Sequence, residues 1–194
     1  TNVLGNLTVS EDATFGTVSG DTFTVNGITD FVNNDIFIRG ASGTGIRVGR
    51  GNNDVATNTA VGYNTLGAVT TGGNNTAYGY LAGQNLTTGA NNTAIGYQAL
   101  PTSQGAADTV SVGRGSLLNT TTGTKNTAVG VSTGDLNETG GSNVFIGYYA
   151  GFGCQGTGNV IIGPADTSTA SNSATYAPVN PTGDRQLVIG SGAD

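Results

Sequence analysis

Asn92-Thr93-Ala94-Ile95-Gly96-Tyr97 decides how this chain is read, because an amide, two small or apolar residues, a β-branched residue and a glycine return at fixed intervals along most of it. The glycine that closes each copy falls at Gly62, Gly79, Gly96, Gly113, Gly130 and Gly147, 17 residues apart, and at Gly163 after 16. The other copies read Asn58-Thr59-Ala60-Val61-Gly62, Asn75-Thr76-Ala77-Tyr78-Gly79, Asn126-Thr127-Ala128-Val129-Gly130, Asn143-Val144-Phe145-Ile146-Gly147 and Asn159-Val160-Ile161-Ile162-Gly163. Thr109-Val110-Ser111-Val112-Gly113 is degenerate. Looser copies flank the array, Gly45-Ile46-Arg47-Val48-Gly49 before it and Gln186-Leu187-Val188-Ile189-Gly190 after an insertion.

A unit this short cannot bury an apolar face alone, so successive copies must stack into a solenoid. Alternation of period two marks a strand. It puts Thr59, Thr76, Thr93, Val110, Thr127, Val144 and Val160 on one face with Val61, Tyr78, Ile95, Val112, Val129, Ile146 and Ile162, and that face is expected to look inward. The residues between them, Ala60, Ala77, Ala94, Ser111, Ala128, Phe145 and Ile161, then point outward. Being small or apolar, they need a cover, and a seam between subunits supplies one. The expected fold is all-β: a parallel β-roll or β-solenoid with coils of 17 residues, in an intertwined homotrimeric fibre whose seam is the alanine column.

Each coil is read as two strands of about five residues joined by two turns. After the strand that closes at Gly96 comes a second element, Tyr97-Gln98-Ala99-Leu100, and then a polar turn. Thr71-Gly72, Thr88-Gly89, Thr122-Gly123 and Thr139-Gly140 mark that turn, where glycine is expected to supply a positive φ. Coils stacked about 4.8 Å apart give a rod of roughly 30 to 40 Å.

The array is assigned to residues 45–163. Residues 1–44 are read as a shaft or neck of short strands (Leu7-Thr8-Val9, Thr22-Phe23-Thr24-Val25, Asp35-Ile36-Phe37-Ile38) with turn glycines between them. Residues 164–194 are read as a loop excursion followed by a final coil. A start at Thr1 and a strand-like end are expected of a piece of a longer chain.

Composition narrows function by exclusion. The 34 glycines and 9% charged residues are unlike an ordinary globular domain, and nothing has helical spacing. A formal charge of −6 with six Lys and Arg opposes nucleic-acid binding, which needs a basic stripe. No run of about 18 apolar residues is present to insert into a membrane. With no histidine, Ser-His-Asp and Cys-His systems and histidine zinc sites are excluded within this chain. The close acidic pairs, Glu11 with Asp12 and Asp135 with Glu138, lie in polar turns. Gly49-Arg50-Gly51-Asn52-Asn53-Asp54 resembles a calcium nonapeptide, but that chemistry needs repeated copies and one is present. No catalytic residue, metal or cofactor is therefore assigned, and the chain is not read as an enzyme. Cys154, the lone cysteine, reads as a small buried apolar residue.

One column has two readings. Tyr63, Tyr80, Tyr97, Arg114, Val131 and Tyr148 follow the closing glycines, and rings on successive coils would stack about 5 Å apart. They either pack a coil corner or offer a strip on which sugar faces stack, with Arg114 as a donor.

The Asn-Thr-Ala-Ile-Gly core resembles the Asn-Ser-Val-Ala-Ile-Gly motif in the heads of trimeric autotransporter adhesins, left-handed parallel β-rolls with shorter coils. It is equally similar to fibre proteins of tailed phages, which carry Asn-Asn-Thr-Ala-Ile-Gly-Tyr-Gln-Ala-Leu repeats joined by Thr-Thr-Gly turns, as at residues 91–100 here. The resemblance implies a structural and adhesive fibre segment on a virion surface, presenting receptor-binding surface to a host cell, with partners that are its own copies and a cell-surface receptor such as a polysaccharide. The alternative it implies is the head or stalk of a bacterial surface adhesin, at an extracellular surface. A third expectation, an ice-binding solenoid, rests on the recurring Thr59, Thr76, Thr93 and Thr127 and ranks last because that column is placed in the core.

Overall fold

The computed structural model describes residues 36–39, by backbone alone, together with 45–164 and 182–189. Residues 1–35 and 40–44, all of the 1–44 shaft of the sequence reading but 36–39, lie outside the described residues, as do 165–181, most of the excursion, and 190–194. Among the described residues ten strands make one sheet in sequence order: β1 (Ile36–Arg39), β2 (Gly45–Gly49), β3 (Thr59–Gly62), β4 (Thr76–Tyr78), β5 (Thr93–Ile95), β6 (Val110–Val112), β7 (Thr127–Val129), β8 (Val144–Ile146), β9 (Val160–Ile162) and β10 (Leu187–Ile189). From β3 onward every neighbour is parallel and in repeat register, so that Thr76 lies against Thr93 and Ala77 against Ala94. This is a β-solenoid with one strand per 17-residue coil. With a spacing of about 4.8 Å, the eight parallel strands span roughly 34 Å.

The stack begins at β3 rather than at residue 45. β2 runs antiparallel to both β1 and β3, so Gly45-Ile46-Arg47-Val48-Gly49 is part of a hairpin that covers the first coil's edge. At the far end β10 pairs in parallel with β9, Leu187 against Val160, so the chain rejoins the sheet after 27 residues instead of 17.

The second strand of the sequence reading is absent. In its place each coil turns through two residues with positive φ, separated by one other: Asn64 and Leu66, Leu81 and Gly83, Gln98 and Leu100, Gly115 and Leu117, Ser132 and Gly134, Tyr149 and Gly151. Two left-handed residues bend the chain too sharply for a strand. Hydrogen bonding between coils continues through the bend all the same. The Gln98 N–H donates to the Tyr80 carbonyl at 2.8 Å, and the Leu100 N–H to the Ser116 carbonyl at 2.9 Å. The backbone polar groups of the bend are therefore met largely by the coils on either side, with bonds such as Phe152 N–H to the Tyr149 carbonyl at 3.0 Å inside the coil.

The alanine column is the core. Ala60, Ala77, Ala94, Ser111, Ala128, Phe145 and Ile161 are 0–1% exposed within a single chain. The inward and outward faces are thus the reverse of the sequence expectation, and this column cannot form a seam between subunits. Volume explains the reversal. The wall opposite the strand supplies Leu66, Leu86, Leu100 and Leu117, all fully buried, and a slit one side chain deep has room for only a methyl group facing them. Where the strand residue is large the opposite wall is small. A Cβ on Gly134 would lie 2.7 Å from Phe145 Cδ2, and Gly151 abuts the same ring.

Two glycine positions per coil are required for different reasons. The closing glycines, Gly62 through Gly163, have φ between 129° and 140°, a region closed to most side chains. Gly72, Gly89, Gly123 and Gly140, expected to have positive φ, do not have it. They are glycine because a Cβ there would strike a carbonyl of the next coil, that of Gly89 in the case of Gly72. The approach is close because one oxygen serves three N–H donors and a hydroxyl: the Thr87 carbonyl accepts the N–H groups of Thr70, Thr71 and Gly72 at 2.8, 3.2 and 3.2 Å and the Thr70 hydroxyl at 2.9 Å.

Candidate functional surfaces

The outward face of the sheet is the pair of columns that flank the alanines. One runs Val61, Tyr78, Ile95, Val112, Val129, Ile146, Ile162, Ile189; the other Thr59, Thr76, Thr93, Val110, Thr127, Val144, Val160, Leu187. None of these side chains is charged. Tyr78 is 60% exposed, Ile146 38% and Ile189 69%. The result is an uncharged strip two side chains wide along the stack, one column Val, Ile and Tyr78, the other half threonine and half Val or Leu. Large contiguous apolar patches are uncommon on isolated soluble chains and mark contact surfaces. Sequence alone misplaced it because period two groups residues by face without saying which face is inside. The placement also removes the ground on which ice binding was ranked last, since Thr59 and Thr76 are exposed rather than in the core.

The tyrosine column stands at the bend beside this strip, on the surface. Tyr63, Tyr80 and Tyr97 are 40–49% exposed. Tyr63 stacks on Tyr80 with ring centroids 5.3 Å apart and planes 13° apart, and Tyr80 on Tyr97 at 5.2 Å and 6°. Both faces of Tyr80 are thereby occupied by its neighbours, and the ladder turns ring edges and hydroxyls to solvent. Arg114, exposed, and Val131, half-buried, continue the column.

Tyr148 ends the column differently. It meets Tyr149 edge-on, with centroids 4.5 Å apart and planes at 74°, and Tyr149 leans on Phe152 at 5.3 Å and 50°. Tyr148 and Phe152 are exposed and Tyr149 half-buried. On the preceding coils Asn119 Nδ2 donates to Asp135 Oδ1 at 2.8 Å. Burial raises the Asp135 carboxyl above its ordinary value, and the Asn119 bond partly opposes that shift.

The amides of the repeat, which the sequence offered only as a recurring letter, form an internal ladder. Asn58, Asn75, Asn92, Asn126, Asn143 and Asn159 are buried. The Nδ2 groups of Asn58, Asn75 and Asn92 donate to the carbonyls of Gly72, Gly89 and Ala106 at 2.8–2.9 Å. Each thus ties the strand's start to the turn that closes the same coil. Their fixed phase, just ahead of the strand in a low-charge chain, was the available signal.

Cys154 is fully buried, and its Sγ accepts from Asn159 Nδ2 at 3.3 Å. Burial foremost raises its thiol pKa, which keeps it protonated and unreactive. Among the described residues no three Cys, Asp or Glu side chains come together to hold a metal, and no helix is long and apolar enough to cross a membrane. No family model matches the chain, and neither a curated protein nor a solved structure is significantly similar to it.

Proposed function

We propose that this chain is a rigid structural segment of an adhesive fibre, three copies of which pack around a common axis through the Val/Ile strip. The observation that carries the reading is the uncharged outward face of β3–β10, continuous over about 34 Å on a chain of net charge −6. Since each coil repeats the same surface at the same phase, a second copy of the strip has the same spacing along its length. A second copy of this chain therefore fits it better than a partner of irregular shape. Three copies would each supply one wall and leave the tyrosine bends and polar turns outside. Such a rod transmits force and displays loops, which suits a phage tail fibre that meets a host-cell surface. The head of a bacterial trimeric adhesin remains the alternative, and the resemblance of the Asn-Thr-Ala-Ile-Gly core supports either.

Ice binding is a weaker reading. Threonine on an exposed flat sheet favours it, but Val110, Val144 and Val160 interrupt the column, and Tyr78 projects beside it. Immunogold electron microscopy with antibody against the solenoid separates the two fibre readings. Label along the appendages of purified virions is expected; label on bacterial envelopes with none on virions identifies the adhesin, and label on neither contradicts both.

A further inference from the structure

The composition of this chain offers an oxidant few targets. It contains no Trp, Met or His, and its one cysteine, Cys154, is fully buried. Cysteine and methionine are the side chains that oxidants ordinarily consume first, so tyrosine is left as the accessible electron donor. The seven tyrosines differ in what lies beside them, and six of them, all but Tyr176, are among the described residues. Tyr63, Tyr80 and Tyr97 are 40–49% exposed and stack nearly parallel, with centroids 5.3 and 5.2 Å apart and planes at 13° and 6°. Corresponding ring atoms of neighbours therefore lie side by side. Tyr78, more open at 60%, pairs in register with Val61 on one side and Ile95 on the other, neither of them aromatic. Tyr148 and Tyr149 meet edge-on at 74°, which turns the edge of one ring to the face of the other.

Two phenols held side by side are the reactant pair of oxidative coupling. A one-electron oxidant takes an electron from each ring and each hydroxyl proton leaves, which gives two phenoxyl radicals. The radicals join through carbons ortho to the oxygens, and the hydrogen on each of those carbons then passes to its oxygen, restoring both phenols. Hydrogen peroxide acting through a haem peroxidase supplies the oxidant, one peroxide taking up the two electrons and two protons and leaving as two waters. We propose that Tyr63, Tyr80 and Tyr97 are a modification site, coupled by peroxide-driven oxidation into dityrosine between adjacent coils. The ladder turns its ring edges, which carry the ortho carbons, to solvent, so neighbouring rings can tilt together at the surface. Each link joins residues 17 apart and constrains the unfolded chain as a disulfide of that loop length does. The chemistry depends on the ladder alone and not on what the fibre belongs to.

Treatment of the whole chain with a haem peroxidase and hydrogen peroxide, followed by peptide mapping in the mass spectrometer, tests it. Blue dityrosine fluorescence is expected in material that still runs as a single chain on denaturing electrophoresis, with Tyr80 joined to Tyr63 or Tyr97 in the digest. Tyr80→Phe keeps the ring and removes the phenol that both pairs share, and should abolish the single-chain cross-link. Tyr78→Phe and Tyr148→Phe should leave its yield unchanged. Should the Tyr80 variant fail to fold, the wild-type map carries the test. Cross-links that mainly use tyrosines outside the ladder, or that mainly join separate chains, overturn the site. So does a folded Tyr80→Phe chain that couples as well as wild type, or a wild-type chain that forms no dityrosine under conditions that couple free tyrosine.

Discussion

The side-chain oxygen of Asn75 accepts the backbone N–H of Asn92, one coil further along, at 3.0 Å. The same bond recurs from Asn58 to Asn75, Asn126 to Asn143 and Asn143 to Asn159 at 2.8–3.0 Å. With Nδ2 bound to a turn carbonyl within its own coil, each asparagine joins strand to turn and coil to coil at once. Asn75→Ala would strip partners from the Asn92 N–H and the Gly89 carbonyl, at a cost of about 2–5 kcal/mol. Chemical denaturation reads this directly. A loss under about 0.5 kcal/mol would show that water replaces the amide.

Phe145 fills the space that Gly134 and Gly151 leave in the opposite wall. Phe145→Ala is expected to cost about 3–5 kcal/mol and to lower the melting temperature of the isolated chain. Ala94→Arg places a cation in the same core and is expected to abolish the folded circular-dichroism signal, not to release folded single chains. A folded, monomeric Ala94 variant would restore the seam that sequence alone suggested.

Glycine substitutions separate required positions from permissive ones. Gly113, at φ 131°, faces the Gly130 carbonyl, whereas a Cβ added at Gly153 would meet nothing within 4 Å. Gly113→Ala should destabilise by at least about 2 kcal/mol, and Gly153→Ala should change stability by under about 1 kcal/mol in either direction. Equal effects in thermal melts would contradict the stacking geometry.

What the sequence made legible, and what it did not, divides along physical lines. Period and strand phase were readable because a stacked coil must repeat its glycines, and the strands fall where Asn-Thr-Ala-Ile-Gly placed them. The inside of the coil was not readable from alternation, since Ala94 and Ile95 both suit a covered face; the deciding fact, leucines on the opposite wall, belongs to a different column of the repeat. The bend at Gln98 and Leu100 was missed because neither residue type favours positive φ. The tyrosine ladder followed from spacing alone, while the edge-on packing of Tyr148 and Tyr149 needed ring orientations.

Asp135 gives the chain a pH signature. Its carboxyl is raised above the ordinary 3.8, chiefly by burial. A raised carboxyl holds its proton more tightly in the folded state, so its contribution to stability is fully present below 3.8 and is lost as pH rises through the folded value. Asp135→Asn keeps an oxygen for Asn119 and has no charge to bury. It is expected to melt at or above the wild-type temperature at neutral pH, with a smaller change on acidification. A variant that melts well below wild type at neutral pH would show that the charge itself stabilises the bend.

Sedimentation equilibrium at micromolar concentration addresses the strip itself. Three chains of 19.2 kDa give about 58 kDa, the mass expected for the wild type. Ile95→Lys with Ile146→Lys, both on the outward face, should sediment at the mass of one chain while keeping the wild-type circular-dichroism spectrum. A wild-type chain that remains at 19.2 kDa, or a lysine variant whose mass does not fall, would contradict self-association through the Val/Ile face.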